Sequence, residues 1–271
     1  MSQSSVLLQV KDHIATVTLN RPQALNAIND ALNEDFGRII RQVELDDEVR
    51  VLVLCGAGPH FMAGGDIKSF HEHCELAPEA RRRLFDEFIF RAHDPIMRMR
   101  RMPKPIIASV HGAVAGYGLS LMLACDLVVA ADNSYFTLAY RHIGTSPDGS
   151  STYSLPRMVG LKRAMEIALL GERFDAATAL QFGLVNRVVG LAQLSDSTTH
   201  MAKQLVNGPA RALGRTKLLL NDALNHSLVE QLRREQDSFA NCAAEPDFVE
   251  GLAAFMQKRQ AQFNRISSTQ D

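Results

Sequence analysis

"PIIASVHGAVAGYGLSLMLACDLVVAA" occupies residues 105–131 and is the longest apolar tract of the chain. It is long enough to cross a bilayer. However, His111, three glycines and Asp126 interrupt it, and its β-branched ends predict two buried strands on either side of a short helix. The tract therefore predicts the core of a globular α/β domain.

The residues before this tract alternate between strand-like and helix-like patterns, which predicts a layered α/β core. The predicted elements are a hairpin of 5–10 and 13–19 joined by Lys11-Asp12, a helix at 31–46, a buried strand at 51–56, and a helix at 78–101 kinked or broken at Pro95.

After Leu161 the strand patterns nearly vanish and helical ones follow one another. Helices are predicted at 161–171, 175–183, 191–207, 210–224, 227–242 and 247–259, with Asp175 and Asp247 as N-caps. The chain is thus expected to have two parts: an α/β core that carries the active site, residues 1–195, and an appended helical region for oligomerisation, residues 196–271.

Composition and charge exclude several classes of partner. With 46% hydrophobic residues, 22% charged residues and a net charge of −1, the chain has no overall field that would attract nucleic acid or anionic lipid. The four cysteines form no CxxC motif, and the first residues lack the pattern of a signal peptide. We therefore expect free thiols and a cytoplasmic protein that binds neither nucleic acid nor a membrane.

Familiar nucleotide, metal and hydrolase motifs are weak or absent. Gly-Ala-Gly at 56–58 lacks the third glycine of a dinucleotide fingerprint, and neither a Walker motif nor a GxSxG elbow occurs. His-Glu-His-Cys at 71–74 is a possible ligand set, but its polar surroundings favour a solvated loop. We predict no metal and no permanently bound cofactor.

Two glycine-rich segments each follow a predicted buried strand and precede a helix. They are "FMAGGD", residues 61–66, and "HGAVAGYG", residues 111–118. Both leave backbone N–H groups unpaired at one sheet edge. Converging amides would make an oxyanion hole. From the residues alone, this reading and that of two tight turns without a ligand are about equally good.

A third segment, "GTSPDGSSTYSLPRMVG" at residues 144–160, sets Asp148 between a proline and a glycine. Pro-Asp-Gly is turn chemistry. The turn alone does not say whether Asp148 only forms the turn or also presents a carboxylate to a substrate.

Five segments together resemble the crotonase, or enoyl-CoA hydratase/isomerase, family. They are HIATVTLNRPQALNAI, FMAGGDI, KPIIASVHGAVAGYGLSLMLACDLVVAAD, LPRMVGLKRAMEIALLGERFDAATALQFGLVNRVV and AFMQKRQAQF. The resemblance implies a spiral of ββα units followed by a helical trimerisation region. It also implies action on acyl-CoA thioesters, with coenzyme A as part of the substrate, by a homotrimer or a dimer of trimers.

The resemblance assigns roles to particular positions. The amides of Gly65 and Tyr117 match the family's oxyanion donors, and the Tyr117 ring is expected to turn elsewhere. Positions that match the coenzyme A cradle are Ala24, Leu25, Asn26, Ala63, Asp66, Ile67 and, near the C-terminus, the basic Lys258.

The chain departs from the family's hydratases where their two glutamates stand, because it has Ser120 and Tyr140 there. Neither side chain is a base near neutral pH without strong help. Asp148 matches the carboxylate used by branches that lack both glutamates. In the family's double-bond isomerases that carboxylate is a proton-shuttling base, and in its 4-chlorobenzoyl-CoA dehalogenases it is a nucleophile.

The resemblance favours an isomerase that moves the double bond of a 3-enoyl-CoA or a related unsaturated or ring acyl-CoA. His93 matches the histidine that activates water in the dehalogenases, but the chain has no tryptophan to match the one they carry at position 140. In the isomerase, His93 and Tyr140 would line the pocket and orient the substrate or Asp148. The alternatives are a hydratase, dehalogenase or hydrolase that uses Asp148 or His93, and a silent acyl-CoA-binding subunit.

Overall fold

The structure is a computed structural model that describes residues 4–264. Residues 1–3 of the predicted core and residues 265–271 of the predicted helical region lie outside the described residues. Within them the strands are β1 (Val6–Lys11), β2 (Ile14–Leu19), β3 (Val51–Gly56), β4 (Ile106–Val110), β5 (Ala113–Ala115), β6 (Leu127–Ala131), β7 (Tyr135–Thr137), β8 (Phe174–Asp175) and β9 (Arg187–Val189).

The described residues also contain ten α-helices. They are α1 (Asp30–Leu45), α2 (Ile67–His71), α3 (Pro78–Arg101), α4 (Tyr117–Leu123), α5 (Ser151–Leu170), α6 (Ala176–Gln181), α7 (Leu194–Val206), α8 (Ala210–Asp222), α9 (Leu228–Ala243) and α10 (Pro246–Met256). α3 runs through Pro95 without a break, and α5 changes direction at Gly160, which has non-helical dihedrals.

The strands form two sheets. The larger has the order β1-β2-β3-β4-β6-β9, with β1 antiparallel to β2 and the other neighbours parallel. The smaller has the order β5-β7-β8. The predicted N-terminal hairpin is confirmed, but its turn consists of Asp12 and His13, both with positive φ, as a two-residue type I′ turn requires.

The continuous apolar run of β3 follows from burial on both faces of the large sheet. Leu52 and Leu54 face a core shared with α1 and α3, whereas Val51 and Val53 face α7. Successive side chains of a strand point to opposite faces, so a strand covered on both sides needs apolar residues at every position.

Some predicted elements are wrong in detail. Residues 111–118 were expected to form only a turn, yet Ala113–Ala115 form β5, a three-residue strand between glycines. Asp175 is an N-cap, as predicted, and accepts from the Thr178 amide at 2.8 Å. Asp247, in contrast, is not an N-cap, so that prediction is wrong. α10 begins at Pro246, Glu245 is its N-cap residue, and Asp247 lies in the first turn. The Asp247 carboxylate instead accepts from the Asn264 amide.

α8 is held to the α/β core by a buried ion pair. The Lys217 ammonium lies 2.9 Å from the Asp126 carboxylate and also donates to the carbonyls of Met99 and Lys104 at 2.7 and 2.9 Å. The Asp126 carboxylate accepts in addition from the Ile106 amide at the start of β4. α8 therefore attaches to the end of α3 and to the central strand. The division of the chain into 1–195 and 196–271 stays a prediction.

Neither a membrane-crossing helix nor a metal-ligand cluster occurs in the described part of the chain. No helix within residues 4–264 has the length and hydropathy needed to cross a bilayer. The same residues contain no group of three or more His, Cys, Asp or Glu side chains arranged to hold a metal ion.

Candidate active site

The two glycine-rich segments pack directly on each other. The Met62 amide donates to the carbonyl of Ala113 at 3.0 Å, and the Ala115 amide donates to the carbonyl of Met62 at 2.9 Å. These bonds bring Gly64 against Gly116: a Cβ built on Gly116 would lie 3.3 Å from the Gly64 Cα. The loops after β3 and β4 thus pack against each other, a contact that the sequence alone left open.

The amides of Gly65 and Tyr117 are open at this meeting point. The Ile28 amide donates to the carbonyl of Gly64, and the Ile28 carbonyl accepts from the amide of Asp66. Because Gly65 lies between these two bonded residues, its own N–H points away from Ile28. Tyr117 begins α4, where an amide has no partner within the helix. Within residues 4–264 neither N–H donates a hydrogen bond to the protein.

Gly116 sets the direction of the Tyr117 amide. Its φ of 52° and ψ of −123° belong to a region that side-chain-bearing residues rarely adopt. The Tyr117 ring turns away from the meeting point, as expected, and is buried, and its hydroxyl donates to the carbonyl of Ala92 at 2.7 Å. The same residue therefore offers its amide to the site and braces α4 against α3.

Asp148 is half-buried next to Tyr140. The Tyr140 hydroxyl donates to Asp148 Oδ1. Burial raises the pKa of the Asp148 carboxyl above its ordinary value, while the hydrogen bond from Tyr140 acts in the opposite direction. A carboxylate with a raised pKa is a stronger proton acceptor than an exposed aspartate.

Ser120 and His93 contact the turn that carries Asp148. Ser120 Oγ donates to the carbonyl of Asp148 at 2.8 Å and lies 3.4 Å from the Tyr140 hydroxyl. The Gly149 amide donates to His93 Nε2 at 3.2 Å. Gly149 packs against Ser120 and the Tyr117 ring. The structure therefore brings together Asp148, Tyr140, His93, Ser120 and Tyr117, which are spread over 56 positions of the sequence.

The residues predicted to cradle coenzyme A form a loop beside Gly65. Leu25 and Asn26 both have positive φ, and the Ala63 amide donates to the carbonyl of Leu25 at 3.0 Å. The Asn26 side chain is buried and donates to three backbone carbonyls of residues 57–61. The Asn26 side chain thus holds the loop, so a ligand would meet the backbone.

Asp66 is also occupied by structural contacts. Its carboxylate caps α2 through the Ser69 amide and pairs with Arg21 at 2.9 Å. Ile67, the next residue, is exposed at the start of α2. Lys258 lies just past α10, where its ammonium is exposed. The structure therefore places Lys258 on the helical region, apart in sequence and element from the loop of Ala24.

Phe70 lies against Gly65, a contact that the sequence analysis did not predict. A Cβ built on Gly65 would lie 2.5 Å from the Phe70 ring, so the ring covers one side of Gly65. Phe85 and Phe88 of α3 contact Phe70 edge-on, with centroids at 5.1 and 5.5 Å. Phe85 and Phe88 lie three positions apart on α3, a spacing that puts both side chains on one helix face. That spacing was the available signal.

The chain matches one family model and many known proteins over nearly its full length. Residues 9–266 match the family described as enoyl-CoA hydratase/isomerase. A 1,2-epoxyphenylacetyl-CoA isomerase of Escherichia coli (strain K12) is 36% identical over 260 residues, which are 95% of this chain and 97% of that protein. A 4-chlorobenzoyl coenzyme A dehalogenase of an Arthrobacter species is 32% identical over 260 residues, 95% and 92% of the two chains.

The fold matches as well as the sequence does. The crystal structure of an enoyl-CoA hydratase from Polaromonas sp. JS666 superposes with a TM-score of 0.90 at 34% identity, covering 96% of this chain and 99% of that one. The chain belongs to the enoyl-CoA hydratase/isomerase family. The predicted crotonase fold, with its helical C-terminal region, is confirmed.

Membership of the crotonase family narrows the chemistry without choosing one reaction. The relatives named above include an isomerase, a dehalogenase and a hydratase. The family alone therefore does not identify the reaction. What distinguishes this chain is the turn of Asp148, which Tyr140, Ser120 and His93 contact.

Proposed function

We propose that the chain is an acyl-CoA isomerase that shifts a double bond through an enolate, with Asp148 as the base. The observation that carries the proposal is the half-buried Asp148 carboxylate, which accepts from Tyr140 and belongs to a turn that packs on Ser120 and on the Tyr117 ring. Positions 120 and 140 carry hydroxyl side chains. Serine and tyrosine do not activate water as two glutamates would.

In this mechanism the thioester oxygen of a 3-enoyl-CoA accepts hydrogen bonds from the Gly65 and Tyr117 amides. Asp148 removes an α-proton, and the electrons move into a dienolate whose negative charge lies on that oxygen. Asp148, now protonated, returns the proton to the γ-carbon, which gives the 2-enoyl-CoA. Each such backbone donor typically contributes about 3–4 kcal/mol of transition-state stabilisation.

Binding of the rest of the substrate is proposed on the same geometry. The backbone of Ala24–Asn26, with Ala63, Asp66 and Ile67, would cradle the coenzyme A moiety, and Lys258 would approach its phosphates. The aromatic cluster of Phe70, Phe85 and Phe88 next to Gly65 fits an apolar acyl group. Free cysteines fit a cytoplasmic location, in line with the sequence-based expectation.

Replacing Asp148 by Asn tests the assignment of the base. We expect isomerisation of 3-enoyl-CoA to fall by about 10²–10⁴-fold, because the amide cannot accept the proton. Binding of the thioester, measured by calorimetry, should stay near the wild-type level because the Gly65 and Tyr117 amides remain. Retained turnover in this variant would contradict the proposal.

Parallel assays separate the alternatives. Hydration of 2-enoyl-CoA by the wild-type protein at a rate above that of isomerisation would favour a hydratase. Release of halide from a halobenzoyl-CoA would favour the dehalogenase reaction. Tight thioester binding without turnover on any of these substrates would indicate a silent binding subunit.

A further inference from the structure

One peptide unit at the candidate site has both of its polar groups bonded by side chains. It is the unit that links Asp148 to Gly149. Its carbonyl oxygen accepts from Ser120 Oγ at 2.8 Å, and its N–H donates to His93 Nε2 at 3.2 Å. Ser120 lies on α4 and His93 on α3, so two different helices hold the two ends of this unit.

We propose that Ser120 and His93 are positioning residues that clamp this peptide unit and thereby aim the Asp148 carboxylate. This inference rests on the proposed role of Asp148 as the base. The clamp fixes the plane of this peptide unit, which limits ψ of Asp148 and φ of Gly149 and so restricts the direction of the Asp148 Cα–Cβ bond. Proton transfer depends steeply on that direction.

The turn needs such an external restraint. Gly149 and Ser150 both have positive φ, at 61° and 75°, and Ser150 is not a glycine. A residue other than glycine is held in this region only when its surroundings dictate it. Ser151 adds a further hydrogen bond to the carbonyl of Asp148, at 3.1 Å. Side chains from three helices thus determine the conformation of the turn.

The hydrogen bond from Gly149 also decides what His93 does. A backbone amide can only donate, so His93 Nε2 must be the acceptor, and in the neutral ring the proton is on Nδ1. While Nε2 holds this bond it does not take a proton from water. The geometry therefore makes His93 a holder of the turn and leaves the proton transfer to Asp148.

Tyr117 links the helices that carry the two clamping residues, His93 on α3 and Ser120 on α4. Its hydroxyl bonds to the carbonyl of Ala92, the residue before His93. Its backbone lies one helical turn before Ser120 on α4. The residue that offers an open amide to the substrate therefore also fixes the distance between the clamping side chains.

Four variants test the clamp in the isomerase assay. We expect Ser120→Ala and His93→Leu each to lower kcat by about 10- to 100-fold with KM near the wild-type value. His93→Gln, whose side-chain oxygen can accept from the Gly149 amide, should recover most of the lost kcat. Ser134→Ala is the matched control, since Ser134 is a buried serine whose hydroxyl bonds to a backbone carbonyl of β4. It should keep the wild-type kcat.

The outcomes separate the clamp from the proposed function. If His93→Gln is as inactive as His93→Leu, the imidazole transfers protons and the positioning role is wrong. If Ser120→Ala and His93→Leu keep the wild-type kcat while Asp148→Asn is inactive, the clamp is wrong and Asp148 remains the base. If Asp148→Asn is active, the proposed function fails, and the clamp is judged by amide exchange.

Hydrogen exchange at the Gly149 amide is that independent measurement. The amide should exchange slowly in the wild-type protein and in His93→Gln, and faster in His93→Leu, because only the first two offer it an acceptor. Equal exchange in all three would overturn the clamp whatever reaction the protein catalyses.

Discussion

At the scale of single residues, the reactivity of Asp148 results from two opposing influences. Burial raises the pKa of its carboxyl, and the hydrogen bond from Tyr140 lowers it. The Tyr140 hydroxyl is itself a poorer acid than usual, because burial and the neighbouring Asp148 charge raise its pKa. Tyr140 therefore stays protonated and stabilises the ionised form of Asp148.

Tyr140→Phe should shift the pH dependence of isomerisation. Asp148 must be ionised to accept a proton, so activity rises with pH through its pKa. Losing the Tyr140 hydrogen bond raises that pKa, so the acid limb of kcat/KM should move to higher pH. Tyr153→Phe is the control, since the Tyr153 hydroxyl bonds to Asn225 of the helical region. An unchanged acid limb in Tyr140→Phe would contradict this account.

The role of a single residue can be predicted from the sequence mainly where that residue lies in a contiguous motif. The resemblance to the family assigns Gly65 and Tyr117 because each sits in one of its contiguous motifs, whereas the glycine-rich loops alone fit a ligand site and two tight turns equally well. The contacts of Ser120 and His93 with the turn of Asp148 could not be predicted from the sequence. Ser120 lies 28 positions from Asp148, and His93 lies 56 positions from Gly149. Nor does the composition around Phe70 indicate that its ring lies on Gly65.

At the scale of elements, long periodic helices and buried strands were predictable, and short strands were not. β5 has three residues between glycines, too few for an alternating pattern, and it is held by pairing with β7 and with Met62. The Asp247 cap was wrong because a proline at 246 starts the helix earlier, as proline favours the first helical position. Local signals compete, and the packing of neighbours decides between them.

The attachment of α8 gives a prediction at this scale. Lys217→Met removes the ammonium and leaves Asp126 buried without its counter-ion, so the free energy of unfolding should fall by about 3–5 kcal/mol. Lys217→Met with Asp126→Asn should recover part of this loss. Chemical denaturation measures both. Lys203→Met, at an exposed lysine of α7, should stay within about 0.5 kcal/mol of the wild type; an equal loss there would contradict a specific role of the ion pair.

At the scale of the whole molecule, the helical region exposes many large apolar side chains. Several are more than two-thirds exposed: Leu220, Leu224, Leu228, Phe239 and Phe255. Isolated exposed apolar residues are common, but several on neighbouring helices are typical of a surface that another chain covers. This pattern supports the expected homotrimer or dimer of trimers.

Light scattering on the purified protein tests the assembly. With a chain of 29.9 kDa, we expect a mass three or six times that value. Leu224→Glu would place a charge in the subunit interface, and it should lower the mass toward that of the monomer. Leu7→Glu, on the exposed edge strand β1, is the control and should not. A monomeric wild-type protein would overturn the expectation.

The tight contact between Gly149 and Ser120 limits how this active site can evolve. A Cβ on Gly149 would lie 2.7 Å from the Ser120 Cβ and 3.0 Å from the Tyr117 ring, and Gly149 has a φ of 61°. Any side chain at position 149 would therefore displace Ser120, the Tyr117 ring or the turn that carries Asp148. The residue next to the base is thus closed to substitution, and mutations that retune this site have to occur at its other positions.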